Sequence, residues 1–237
     1  MLELNNVGAG YGKMVILHDI SLQCKDSEIV LILGPNGAGK TTLMQTIYRF
    51  ADIHHGDIYY NGKDLSKCAP HDMISLGIGY IWQRDGFFPS MTVQDNLRMA
   101  LYSQKQKDYE ISEKLGKVLS YFPRLEQKLG QTAITLSGGE KKMLAIACVL
   151  AQDHDLLLAD ELSEGLQPLL RDQSIEIVSN WAREKNKSVI FVEEAAEMVL
   201  EAADQVYCLR DGSIVAEGPA QDFLDKATLE KLYFGEA

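Results

Sequence analysis

The chain has 237 residues, 46% of them hydrophobic, enough for one large domain or two small ones with a sizeable core. Its 23 Lys and Arg against 34 Asp and Glu leave a formal charge of −11, which argues against a non-specific nucleic-acid binder, since such proteins need clustered cations to displace counterions. Cys24, Cys68, Cys148 and Cys208 lie far apart without C-x-x-C spacing, predicting buried, reduced thiols and no metal site built on them.

The start, M-L-E-L-N-N-V, lacks the basic residues and long apolar stretch of a signal peptide, and no uncharged apolar run approaches about 18 residues. The expectation is a chain that neither crosses a membrane nor is exported. Residues 1–33 alternate apolar and polar in short strand-like pieces interrupted by Gly8, Gly10 and Gly12, the pattern of an antiparallel layer. Tyr11 falls in a G-Y-G turn, where an aromatic ring is either a packing residue or exposed enough to stack on an adenine. Residues 29–33 are rich in β-branched side chains and read as a buried parallel strand, and Leu43, Ile47 and Phe50 restore helical spacing beyond it.

Between that strand and helix stands Gly34-Pro35-Asn36-Gly37-Ala38-Gly39-Lys40-Thr41, which fits G-x-x-x-x-G-K-[ST]. Its glycines let backbone N–H groups curl around an anion without Cβ clashes, and the helix that follows directs its positive end at the same spot. Lys40 adds a charge for the β- and γ-phosphates, and Thr41 a hydroxyl for Mg2+. The bland alternative, a glycine-rich turn that merely carries Lys-Thr, is disfavoured by the correct strand and helix flanks.

Strands are predicted at 57–60 and 79–82, with a turn at 62–64 and a short helix at 70–76. Gln83 follows the second strand directly, where a side chain reaches a nucleotide-bound Mg2+ or an attacking water, or is simply a solvated loop amide. From 92 to 121 the spacing is helical, broken by a polar stretch near 103–108. Ser137 with Glu140 is a capping box opening another helix, whose apolar face carries Met143, Leu144, Ile146, Ala147 and Leu150. Gly138 and Gly139 are poor helix formers, and two in one first turn suggest that something approaches the backbone closely. The apolar run Leu156-Leu-Leu-Ala ends in Asp160 and Glu161, one carboxylate for a metal and one to polarise water. A helix at 170–184, a strand at 188–192, a helix at 195–202, strands at 205–209 and 213–216, and short helices at 220–232 complete an alternating α/β chain.

Phosphate loop, strand-end Gln83, L-S-G-G-E and L-L-L-A-D-E in that order resemble the ATP-binding cassette (ABC) family over essentially the whole chain. The resemblance implies an α/β fold: a P-loop NTPase (RecA-like) core with an N-terminal antiparallel β layer and an inserted helical subdomain. It implies one domain over 1–237, with 1–85 and 152–237 as the core and about 86–151 as the insert. Tyr11 would be the adenine-stacking residue, residues 34–42 including Thr42 Walker A, Gln83 the Q-loop glutamine, Asp160 the Walker B aspartate and Glu161 the catalytic glutamate. ATP and Mg2+ would be the cofactors, the metal held near Thr41, Gln83 and Asp160. Such cassettes pair, so Ser137, Gly138, Gly139 and Glu140 would complete the site of a second ATPase subunit, identical or not, while integral membrane permease subunits carry the solute. The location implied is cytoplasmic, peripheral to the inner (plasma) membrane.

Within the family, M-L-A-I-A, D-E-L-S-E-G-L-Q-P and G-I-G-Y-I-W-Q are similar to ATPases of branched-chain amino acid and urea-type importers, while the ending L-Y-F-G-E-A is similar to lipopolysaccharide-export ATPases. The chain also departs from the family pattern. Glu194 stands where a γ-phosphate-contacting histidine is usual, Leu162 where proline follows the catalytic glutamate, Trp82 where proline precedes the glutamine, and Cys148 where an arginine often follows the signature helix. An acid at 194 would repel the phosphate. The expectation is a transport ATPase of reduced turnover, with a regulatory or asymmetric partner subunit of weak or no hydrolysis as the alternative. A cassette acting on ribosomes or DNA would bring tandem cassettes, a coiled insert or a basic surface, none of which the sequence has.

Overall fold

The apolar run at 29–33 becomes β3 (Ile29–Leu33), a central strand of a six-stranded sheet in the computed structural model, which describes residues 1–82, 86–102, 108–162, 167–193 and 197–224. Beside it lie β6 (Ile78–Ile81), β7 (Leu156–Asp160), β8 (Ser188–Glu193), β9 (Gln205–Arg210) and β10 (Ser213–Pro219), in the order β10-β9-β3-β8-β7-β6. All pairings are parallel except that of β10 with β9. Burial of β3, β6, β7 and β8 on both faces explains why they read as continuous apolar runs rather than alternations.

The two faces of this sheet feed two cores. Ile29, Leu31 and Leu33 with Val189 and Phe191 pack against α3 (Val93–Leu101), α4 (Asp108–Leu119), α5 (Pro123–Glu126), α6 (Gly138–Ala151) and α7 (Pro168–Lys185). Val30 and Ile32 with Ile190 and Val192 pack against α1 (Lys40–Ile47), which lies between this sheet and a second one. That second sheet is antiparallel, order β2-β1-β4-β5, from β1 (Leu2–Tyr11), β2 (Met14–Cys24), β4 (Asp52–Tyr60) and β5 (Lys63–Asp64). Each buried Leu, Ile or Val contributes on the order of 1.5–3 kcal/mol. The parallel sheet, covered on one side by helices and on the other by α1 and an antiparallel layer, is the architecture the sequence implied.

Several boundaries differ from the sequence reading. The N-terminal pieces are two long strands, because Gly8 and Gly10 sit inside β1 rather than between fragments. A Cβ on Gly8 would lie 2.1 Å from the His55 ring, and one on Gly10 1.9 Å from the Met14 carbonyl, so both glycines serve close approach within the sheet. β4 begins at Asp52 instead of 57, its start hidden by the polar pair His54-His55. Lys63 and Asp64, read as part of a turn, form a two-residue strand beyond Gly62. α1 ends at Ile47, leaving Phe50 outside it. Cys148 lies buried within α6 rather than after it, and burial pushes its thiol up to about 12. All four cysteines are free, and Cys68 alone is half-buried rather than buried. The helices predicted at 70–76, 170–184 and 195–202 appear as α2 (Asp72–Ser75), α7 and α8 (Glu197–Ala202). Of the tail, Ala220–Phe223 is a 3-10 turn, and 225–237 lie outside the described residues.

Candidate nucleotide site

The sheet order brings the singled-out loops together. β3 runs into the glycine loop, β7 into Asp160 and Glu161, and β6 and β8 end at Ile81 and Glu193, all at the carboxyl edge of four adjacent strands. Ligands of open parallel sheets bind beyond that edge. Gln83 and Glu194, the first residues past Trp82 and Glu193, lie outside the described residues, as do 163–166 of D-E-L-S-E-G-L-Q-P.

Gly37 and Gly39 take positive φ of 83° and 103°, a region open to glycine at little cost, and this turns the loop back on itself ahead of α1. Gly34 has a steric requirement instead, since a Cβ there would meet the Leu209 carbonyl at 2.2 Å. No side chain caps α1 at Gly39, so its first-turn N–H groups point into the loop, an arrangement that binds phosphate. Lys40 is only 4% exposed, and its ammonium donates to the carbonyls of Gly34 (2.8 Å) and Pro35 (3.2 Å). The same Nζ stands 3.7 Å from Glu161 Oε1. Asn36 and Ala38 complete the loop, Ala38 anchoring it through its carbonyl, which accepts from the Gly212 N–H. The Thr42 carbonyl accepts from the Thr46 hydroxyl inside α1.

Asp160 is 2% exposed and fully hydrogen-bonded on one side: Thr41 Oγ1 donates to Oδ1 at 3.2 Å and Tyr80 OH to Oδ2 at 2.7 Å. Burial raises the Asp160 carboxyl above its ordinary range, while those two bonds and the charges of Lys142 and Lys40 pull it down. The Tyr80 phenol is pushed up by burial and by the neighbouring Asp160 charge, so it remains a donor. Among the described residues no three His, Cys, Asp or Glu side chains cluster to hold a metal. A hydroxyl and a carboxylate oxygen 3.2 Å apart nevertheless form the hard-oxygen donor set that Mg2+ accepts when phosphates supply further ligands. Glu161 holds φ +46°, a region costly for a residue with a Cβ, and its N–H donates to the Val192 carbonyl at 3.0 Å. The Glu161 carboxylate thereby stands beside the Lys40 ammonium.

Tyr11 ends β1, 42% exposed, its hydroxyl donating to Gln45 of α1. Its ring thus stands at the flank of the loop helix. The side chains of Ser137 and Glu140 bond each other's backbone, in the predicted capping box, and Glu140 accepts from Lys128, whose hydrogen bond, with that of the Ser137 N–H, holds the Glu140 carboxyl below its usual range. None of these bonds reaches 34–42. The close approach inferred for the two glycines divides: a Cβ on Gly139 would meet Leu170 Cδ1 at 2.3 Å within this chain, whereas Gly138 faces open space. Tyr80 was missed by sequence reasoning, because inside I-G-Y-I it reads as one more buried strand residue.

A glycine loop, a Thr hydroxyl bonded to a buried Asp and a Glu beside the loop lysine, all at one parallel-sheet edge, define a P-loop nucleotide-binding domain. Comparison with known proteins narrows the class. The family model described as ABC transporter matches residues 17–164. The chain is 36% identical to the Pseudomonas aeruginosa high-affinity branched-chain amino acid transport ATP-binding protein BraG, over 99% of this chain and 100% of that one. It is 32% identical to the probable branched-chain amino acid transport ATP-binding protein LivF of Archaeoglobus fulgidus, over 99% of each. A solved nucleotide-free ATP-binding cassette from an ABC transporter superposes with TM-score 0.82 at 26% identity, over 100% of this chain and 99% of that one. The chain belongs to the ABC transporter family and is an ATP-binding, ATP-hydrolysing transporter subunit.

Proposed function

We propose that the chain drives branched-chain amino acid import, two cassettes closing on ATP and Mg2+ against membrane permease subunits. The observation that carries the ATP-driven part of this reading is the convergence of Lys40, Thr41, Asp160 and Glu161 at one sheet edge. On this reading the loop N–H groups and Lys40 bind the β- and γ-phosphates, Tyr11 stacks on the base, and Thr41, Asp160 and Gln83 hold the metal, which supplies charge neutralisation on the phosphates when bound. Glu161 orients and deprotonates the attacking water. Ser137–Glu140 of one cassette completes the site of the other, with bare Gly138 admitting the phosphate. The relatives' names support the solute class, and a solved cassette described as a dimer bound to ADP and Pi, 23% identical, has the same fold.

Residues 1–85 and 152–237 act as the catalytic core and 86–151 as the insert. The permease docks where the two meet, a cavity of about 210 Å³ walled by Tyr48, Trp82, Phe87, Phe88, Asn96 and Met99. Phe88 of that wall and Phe50 beside it are 52% and 47% exposed, apolar surface that a partner would cover. No helix among the described residues is long and apolar enough to cross a membrane, and the location proposed is cytoplasmic, peripheral to the membrane through the permease subunits. Glu194 favours a second reading, a weakly hydrolysing partner in an asymmetric pair. Purification of the tagged chain from membranes, followed by ATPase assay of whatever complex is recovered, tests both. Recovery of integral permease subunits with leucine-stimulated turnover supports the import reading; ATP binding with no turnover in any pairing supports the second.

A further inference from the structure

The phosphate loop and the carboxylates account for most of the polar atoms at the sheet edge, but not for the Tyr80 hydroxyl. We propose that Tyr80 is a positioning residue for Asp160, pinning its carboxylate so that Oδ1 and Thr41 Oγ1 present a fixed pair of oxygens to the metal. This rests on the reading of Thr41 and Asp160 as metal-holding residues and adds a residue to it.

The geometry has three parts. First, the Tyr80 hydroxyl donates to Oδ2 at 2.7 Å while Thr41 occupies Oδ1 at 3.2 Å, so each carboxylate oxygen has its own partner. The terminal torsion of an aspartate is broad and two-fold, and nothing intrinsic to the side chain selects this orientation. Secondly, Tyr80 itself cannot swing. Its ring stacks on Trp82 with centroids 4.1 Å apart and takes the Tyr48 ring edge-on at 5.4 Å, while Tyr80 is 4% exposed. Thirdly, the bond links neighbouring strands, since Tyr80 pairs with Leu158 in the β6–β7 register two residues before Asp160. The Tyr80 hydroxyl thereby bridges the aromatic wall of the groove to the site edge.

A partner that hydrogen-bonds a ligating carboxylate typically sets metal affinity by about ten- to a hundred-fold. The test uses Mn2+ as the probe on the full chain with a non-hydrolysable ATP analogue, wild type against Tyr80→Phe. Metal affinity of the nucleotide-loaded protein is read from the Mn2+ paramagnetic resonance, and analogue affinity in EDTA by equilibrium dialysis. The expected result is a roughly ten-fold or greater loss of Mn2+ affinity with metal-free nucleotide affinity unchanged. Equal Mn2+ affinity in the two proteins overturns the proposal, and so does a parallel loss in EDTA, which is what general loosening of the fold produces. Wild type that binds the analogue without taking up Mn2+ overturns the metal-site reading itself. Should Tyr80→Phe not fold, 3-fluorotyrosine at position 80 serves instead: its fluorine resonance moves when Mg2+ joins the nucleotide-loaded protein, and a resonance that stays put overturns the proposal.

Discussion

Glu161 occupies a costly backbone conformation, φ +46°, with its carboxylate 3.7 Å from the Lys40 ammonium. Strain of this kind persists only where surrounding structure over-determines it, here through the bond from the Glu161 N–H to the Val192 carbonyl. Glu161→Gln keeps the shape and removes the base, so ATP hydrolysis should fall by about 10²–10⁴-fold. Nucleotide affinity should hold; phosphate release and nucleotide dialysis on the same preparation check the pair, and retained hydrolysis would move the base elsewhere. Position 194 offers the reverse change. In the proposed site an acid at this position opposes the negative charge that must build on the γ-phosphate, so Glu194→His should raise turnover in the same phosphate-release assay. A fall instead would mean that this acid aids the reaction. Residues whose type states their chemistry, Lys40, Thr41, Asp160 and Glu161, were legible from the sequence alone. Tyr80 was not, since an apolar strand conceals which of its residues turns a polar tip towards the site.

At the scale of elements, the start of α6 separates two roles that the sequence presented as one. A Cβ on Gly139 would lie 2.3 Å from Leu170 Cδ1, so that half-buried side chain must turn aside, while Gly138 meets nothing within 4 Å. Gly138→Ala should therefore stabilise α6 by up to about 1 kcal/mol through helix propensity and yet lower ATPase activity, if that bare backbone is where a facing cassette's phosphate sits. Thermal melts and turnover on one preparation decide this, and a melt raised without loss of activity would remove Gly138 from the site. Gly139→Ala should raise the melting temperature less than Gly138→Ala does, because Leu170 must turn aside to admit the methyl group. Glycine content was the least legible signal in the chain. In β1 it marked close approach by His55 and by the Met14 carbonyl rather than a strand break, and in α6 one glycine of two marks packing. Periodicity, by contrast, placed α7 and the buried strands well, because both faces of the parallel sheet are covered and little else yields uninterrupted apolar runs.

Over the whole molecule, the sheet order β9-β3-β8-β7-β6 is what assembles the site, and no local sequence signal specifies it. It follows from the motif order only through the right-handed crossovers that parallel strands require. The same burial makes stability depend on pH through His154, 5% exposed beneath β6, where a Cβ on Gly79 would lie 2.4 Å from its ring. Burial lowers the His154 imidazole to about 4; Lys187 adds to this, while Asp155 and Asp153 act against it. A folded-state value below the unfolded one near 6.5 means that the unfolded chain binds the extra proton. The His154 contribution is therefore complete above pH 6.5 and is lost as pH falls from there towards 4, by about 3 kcal/mol in all. Asp160, raised by burial, works in the opposite sense, favouring the folded state as it protonates. That opposing slope is common to wild type and His154→Gln, so the difference between them isolates the histidine. Urea unfolding at pH 7.5, 5.5 and 4.5 should give curves for His154→Gln that flatten relative to wild type below pH 6.5, and parallel curves would mean that the imidazole is protonated in the folded chain.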